Sequence, residues 1–133
     1  MPQTHTQSQA TDTVLDRYIA LMDRAVHDLG LLDEELPSIF APDATVQLEE
    51  LEPVTGLTAI TEFYRRFYSH AGDNKHFWNT TVLEDGTLEA DFIVAGRSRD
   101  GHLLARRGIE HATVNADGLI TSLRATSTAV GEN

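Results

Sequence analysis

Apolar residues recur at helical spacing from Val14 onward: Val14, Leu15, Tyr18, Ile19, Met22, Val26 and Leu29. Three eligible N-caps, Thr11, Asp12 and Thr13, precede this stripe, and Gly30 follows it as a stop. The spacing predicts an amphipathic helix over that span. Leu32, Leu36, Ile39 and Phe40 form a shorter helical stripe, with Pro37 tolerable in a first turn and "APD" (41–43) as its stop. At Ala44 the period changes to two. Val46 and Leu48 share one face, and Thr45, Gln47 and Glu49 the other, which predicts a strand. Pro53 and Gly56 punctuate the chain, and Ile60, Phe63, Tyr64, Phe67 and Tyr68 mark a second strongly amphipathic helix ending near Ala71.

The remainder alternates. Four segments, 75–84, 88–99, 102–115 and 119–130, are separated by Asp85-Gly86, Asp100-Gly101 and Asp117-Gly118. Repeated Asp-Gly pairs between alternating runs predict hairpins, hence a meander of four strands. Helices gathered before one antiparallel sheet indicate the α+β class. The polar stretch 1–10 reads as a disordered arm, and residues 11–133 as one domain.

Composition narrows the partners. The formal charge is -11, from ten basic and 21 acidic residues. Such a surface disfavours nucleic acid and anionic lipid, because neither gains from counterion release on an acidic protein. It fits a small apolar molecule as ligand. No cysteine is present, so thiol nucleophiles, thiolate metal sites and disulfides are excluded. The start lacks an apolar signal core, and no run approaches the roughly 18 residues of a membrane span, so the cytoplasm is the default location.

The element order, with "IFAPDATV" (39–46), "TGLTAITEFYRRF" (55–67) and the Asp-Gly meander, resembles the nuclear transport factor 2-like superfamily. Within it the chain resembles SnoaL-like and ketosteroid isomerase-like proteins. The resemblance implies a cone-shaped curved sheet wrapped by about three N-terminal helices, a pocket inside, and often a homodimer. The superfamily spans isomerases, dehydratases, cyclases, epoxide hydrolases and non-catalytic domains, so fold alone does not assign an activity.

Site candidates follow from both sources. "RYIALMD" (17–23) is similar to the isomerase segment that carries a catalytic tyrosine, which implies a role for Tyr18. The isomerase base falls two residues after "ATV", where this chain has Leu48. Glu49 is adjacent, and a one-residue slip reverses its face unless the strand bulges. The isomerase's protonated carboxylic donor corresponds to Glu110. "HFWN" (76–79) is similar to a dehydratase-like segment whose histidine moves protons, which implies His76. Glu110 alternates with Gly108, Ala112 and Val114, a small apolar series suited to a concave face, where burial would raise its pKa. Asp91 faces inward if Ile93 does, whereas Phe92 and Val94 form the competing inward set. Trp78, Phe63, Phe67, Leu48, Ile93 and Phe40 are lining candidates. His76, Asp91 and Glu110 have metal-ligand chemistry but no compact ligand motif, so neither a metal nor a cofactor is expected. Two functions remain open. One is a cofactor-independent isomerase, dehydratase or cyclase acting on a small carbonyl or ring compound; the other is a binding or dimerisation module of the same fold.

Overall fold

The computed structural model describes residues 8–10 and 12–131. Seven strands form one sheet in the order β1-β4-β5-β6-β7-β2-β3, and the helices lie against one of its faces. The strands are β1 (Ser8–Ala10), β2 (Phe40–Leu48), β3 (Val54–Thr55), β4 (Ala71–Val82), β5 (Leu88–Ser98), β6 (Leu103–Val114) and β7 (Ile120–Ala129). The helices are α1 (Val14–Ala25), α2 (Gly30–Glu35) and α3 (Leu57–Phe67), with a single 3-10 turn at Leu36–Ser38. Ser8–Ala10, assigned to the arm from sequence, pairs antiparallel with β4. The expectation for residues 1–7 lies outside the described residues.

Thr13 caps α1. Its hydroxyl accepts from the Asp16 backbone N–H while Asp16 accepts from Thr13, a reciprocal box that satisfies otherwise unpaired donors. The stripe Val14, Leu15, Tyr18, Ile19 and Met22 is buried. The helix ends at Ala25 rather than at Gly30, which instead opens α2. α2 runs straight into the turn around Pro37, so the second stripe is two short pieces and not one helix. Phe40 already belongs to β2, and the predicted stop at "APD" is a register shift between Phe40 and Thr45. Pro42 has no N–H to give a ladder, and an irregular stretch accommodates it.

The meander is regular and antiparallel from β4 to β7. Each of its three connections has the same form. The N–H of Leu83, Ser98 or Asn115 bonds the carbonyl four residues on, and a glycine sits fourth with φ between 80° and 94°. These are three-residue hairpins that need a left-handed residue before the returning strand, and glycine supplies it without strain. One expectation is corrected here: the sheet is mixed, because β2 pairs parallel with β7. β6 and β7 approach closely at Gly108, where an added Cβ would lie 2.0 Å from the Thr126 carbonyl oxygen.

Alternation then sorts the faces. His76, Trp78 and Thr80 on β4 face the helices, as do Ala90, Phe92 and Val94 on β5, Glu110 and Ala112 on β6, and Leu123 and Ala125 on β7. The core fills one end of the concavity around Tyr64, Phe40, Leu15 and Leu123. At the other end the concavity stays open.

Candidate functional site

The open end is a cavity of about 360 Å³. Its walls come from the second half of α1, the exit of α3, and the β2, β4, β5, β6 and β7 ends nearest the Arg99–Gly101 turn. Ile19, Met22, Leu48, Phe92 and Val94 make it largely apolar, and a few polar groups converge on it, as in small-molecule sites generally.

His76 opens one side. Its Nδ1 lies 2.6 Å from Asp23 Oδ1, and its backbone N–H donates to Asp23 Oδ2 at 2.9 Å. Asn74 Nδ2 donates to the same carboxylate at 2.6 Å. Burial alone would raise the Asp23 pKa, but the hydrogen bonds from His76 and Asn74 outweigh it and hold the carboxyl below its ordinary value. An ionised Asp23 accepts from Nδ1–H, which fixes the tautomer and leaves Nε2 as the free ring nitrogen. Asp23 was missed from sequence. It lies one helical turn beyond Ile19 at the margin of the apolar stripe, and that flanking carboxylate is the only local signal of it.

The deep wall carries hydroxyls and a carboxyl. Tyr18 Oη and Tyr64 Oη are 2.6 Å apart. Tyr64 is fully buried, and Tyr18 is its only side-chain hydrogen-bond partner among the described residues; either hydroxyl can donate, so the pair uses one of its two hydrogens and Tyr18 presents the hydroxyl on the cavity side. Glu110 is 6% exposed, lines the cavity and has no hydrogen-bond partner among the described residues. Burial, with the nearby Glu49 charge, pushes its pKa up to about 8. With that shift the carboxyl is mostly protonated at pH 7 and able to donate a hydrogen bond.

Glu49 reaches the cavity by an unusual backbone. Strand alternation would turn it away from the face of Leu48, but its φ is 55°, the left-handed region that non-glycine residues seldom occupy. The bend brings its carboxylate to Ser127, whose N–H donates at 3.0 Å and whose hydroxyl donates at 2.6 Å. Arg106 stands 3.8 Å away.

The structure brings His76, Tyr18, Glu110, Leu48 and Phe67 to one cavity. It does not bring the others. Asp91 and Ile93 lie on the outer face, with Asp91 exposed beside Arg107 and Phe92 and Val94 turned inward in their place. Phe92 and Val94 are the more apolar of the two alternating sets, and it is that set the β5 strand turns inward. Trp78 faces inward but under α1, where its indole N–H donates to Asp16 Oδ1 at 2.7 Å. Phe40 is fully buried against the Tyr18 ring, and Phe63 packs on Tyr64 and Phe67 at the core's edge. Those three are core residues and not lining. With Asp91 turned away, the trio His76, Asp91 and Glu110 cannot share an ion, and no group of three or more metal-type side chains comes together among the described residues.

Residues 15–123 match the SnoaL-like domain, which is most of the chain. The protein belongs to the SnoaL-like family. This SnoaL-like chain also superposes on an NTF2-like protein of unknown function from Exiguobacterium sp. 255-15, with 31% identity, a TM-score of 0.76, and coverage of 87% of this chain and 98% of that one. A protein provisionally described as a polyketide cyclase from Xanthomonas campestris pv. campestris aligns at 18% identity and a TM-score of 0.68, over 85% of this chain and 89% of the other. SalBIII, an epoxide hydrolase/cyclase-like enzyme in pyran ring formation in the polyether salinomycin, aligns at 14% identity and a TM-score of 0.66, over 84% and 88%. The last two likenesses show the fold alone. No curated protein matches the chain. No helix among the described residues is long and apolar enough to cross a membrane.

Proposed function

We propose that this SnoaL-like protein is a cofactor-independent enzyme that moves a proton beside a carbonyl in a small, largely apolar ring compound. The observation that carries it is the pairing, in one cavity, of an Asp23-oriented His76 with a neutral Glu110. An enolisation needs both ends: a base near neutrality for the carbon acid, and hydrogen-bond donors where negative charge develops. His76 Nε2 takes the proton from the carbon. The C–H electron pair becomes the new C=C bond, the carbonyl π pair moves to oxygen, and Glu110 and Tyr18 donate to that oxygen. The imidazolium, held by Asp23, then returns the proton to a different carbon or to a departing hydroxyl. The first outcome is isomerisation and the second is dehydration. The cyclase-like SalBIII, with its part in pyran ring formation, and the protein provisionally described as a polyketide cyclase support a ring compound as the substrate class.

The test is exchange. A panel of small cyclic ketones is incubated with the protein in deuterated buffer, and loss of the α-proton signals is followed by NMR. Catalysed exchange is expected, falling at least about a hundredfold in His76→Ala and in Asp23→Asn. One observation favours a second reading, a pocket that binds without turnover: the family position of the isomerase base is Leu48, and it lines the cavity with an apolar side chain. That reading expects ligand binding with no exchange above buffer. In either case the outer sheet face is proposed as the contact of a homodimer.

A further inference from the structure

Tyr68 is the last residue of the α3 stripe and caps the helix, its N–H bonded to the Tyr64 carbonyl at 3.0 Å. Its ring stacks on Tyr64, with centroids 6.4 Å apart and planes 15° apart, and meets Phe67 edge-on at 5.1 Å. Those contacts fix where the hydroxyl points. Tyr68 keeps some accessible surface although it sits deep among protein atoms; it lines the cavity, which accounts for both. Among the described residues no group bonds its hydroxyl. The hydroxyl is thus not sealed in the core but open to the cavity, and a phenol held there with no protein partner is free to bond a ligand that enters.

We propose that Tyr68 is a further ligand-contacting residue, a third donor that joins Tyr18 and Glu110 on a single ligand oxygen. The inference rests on the proton-transfer reading for its chemistry, but its contact with ligand stands separately. Three hydrogens have no acceptor among the described residues: one of the two in the Tyr18–Tyr64 pair, that of the Tyr68 hydroxyl and that of the protonated Glu110. A neutral carbonyl oxygen offers two lone pairs, whereas an enolate or phenolate oxygen offers three. The ligand class that satisfies the wall is therefore one whose oxygen carries negative charge, as enolised ketones, phenols and enolised 1,3-diketones do. Burial, together with the charges of Glu110 and Asp23, raises the Tyr68 pKa, so the phenol remains a donor throughout the neutral range.

The probe is 4-nitrophenol, whose visible absorbance separates phenol from phenolate, with nitrobenzene as the analogue lacking the hydroxyl. The wild-type protein is expected to bind the phenolate. Tyr68→Phe should weaken that binding roughly tenfold to a hundredfold, the span of a hydrogen bond to a charged group, while nitrobenzene binding stays unchanged. Unchanged near-ultraviolet circular dichroism of Tyr68→Phe shows that the wall keeps its shape. Equal phenolate affinity in Tyr68→Phe and wild type overturns the proposal, as does wild-type protein that takes nitrobenzene and not the phenolate, or neither. Phenolate binding sensitive to Tyr68, with no deuterium exchange on any ketone, leaves the donor in place and removes the catalytic reading instead. If Tyr68→Phe loses the circular dichroism signal, Tyr68→His, which can restore a ring and a donor, is measured on the same two probes. Selective recovery of phenolate binding is then the expected result, and parallel loss of both probes overturns the proposal.

Discussion

At the scale of residues, Glu110 adds a pH dependence to stability that opposes folding as pH rises. Its carboxyl has an ordinary value of 4.5 and is raised to about 8 in the fold, first by burial and then by Glu49. The folded state therefore binds a proton that the unfolded state releases. The penalty is absent below the unfolded value, grows as pH rises between the two values, and levels off above 8. By pH 7 it is on the order of 3 kcal/mol. Glu110→Gln removes the titration but keeps a buried polar group, so the difference between pH values is the clean quantity. Urea titrations of both proteins should show the variant gaining about 2–4 kcal/mol relative to wild type on going from pH 5 to pH 8. Equal differences at the two pH values would mean an ordinary carboxyl. The same scale shows what the sequence could yield about the site. Tyr18, His76 and Glu110 stand out because a polar group interrupts an apolar face or matches a family segment. Asp23 and Tyr68 do not, because each sits within or beside a helical stripe and acquires its role only from what β4 and β6 place opposite. Glu49 depends on a single backbone angle, and no periodicity carries that.

Among elements, two α1 carboxylates join that helix to β4, Asp23 at the cavity and Asp16 at the other end, and Asp16 is the one that also caps the helix. The Asp16 carboxylate accepts from the Thr13 N–H and hydroxyl on its own helix cap, and from the Trp78 indole and the Thr80 hydroxyl on the sheet. Burial acts to raise its pKa, but the bonds from Thr13, Trp78 and Thr80 prevail and hold it below the ordinary value. Its contribution is thus complete above the unfolded pKa and is lost as pH falls through the lowered one. Asp16→Ala takes the cap away and strands the indole N–H and a nearly buried threonine hydroxyl, Thr80 being 2% exposed. The expected cost is about 2–4 kcal/mol at pH 7, read as a lower urea midpoint, with the emission of Trp78 shifted to the red. A loss below about 0.5 kcal/mol would show that water replaces the carboxylate at that junction. Elements were the most legible level of the sequence. α1, α3 and the four meander strands follow from period and from Asp-Gly turns. Gly30 misleads because glycine ends helices far more often than it begins them, yet here the chain has already left the helix at Ala25. The parallel partnership of β2 with β7 has no local signature, since strands far apart in sequence pair by tertiary fit.

For the whole molecule, one sheet face is covered by helices, and among the described residues no element covers the other. On that other face Phe77 is 62% exposed, Ile93 38% and Ile109 42%, and Phe77 and Ile93 are direct cross-strand neighbours. The Asp91–Arg107 and Glu89–His111 pairs flank them, so the patch carries both signs of charge within itself. A surface apolar at its centre and mixed in charge at its margin can meet a rotated copy of itself. Light scattering should give about twice the chain mass of 14.7 kDa at micromolar concentration, and Ile93→Lys should return the monomer mass. A wild-type monomer would refute the pairing. Another property of the whole follows from the β2–β7 ladder. β2 belongs to the first third of the chain, yet its ladder partner is the last of the seven strands, and β4, β5 and β6 all come between them in time of synthesis. On a growing chain, β2 has only the two residues of β3 to bond until β7 emerges. The β2 edge of the sheet can therefore be completed only once the final strand is available. Glu49, Ala125 and Ser127, which meet across that closure, are separate until then, so the cavity comes into being with the last stretch of β7.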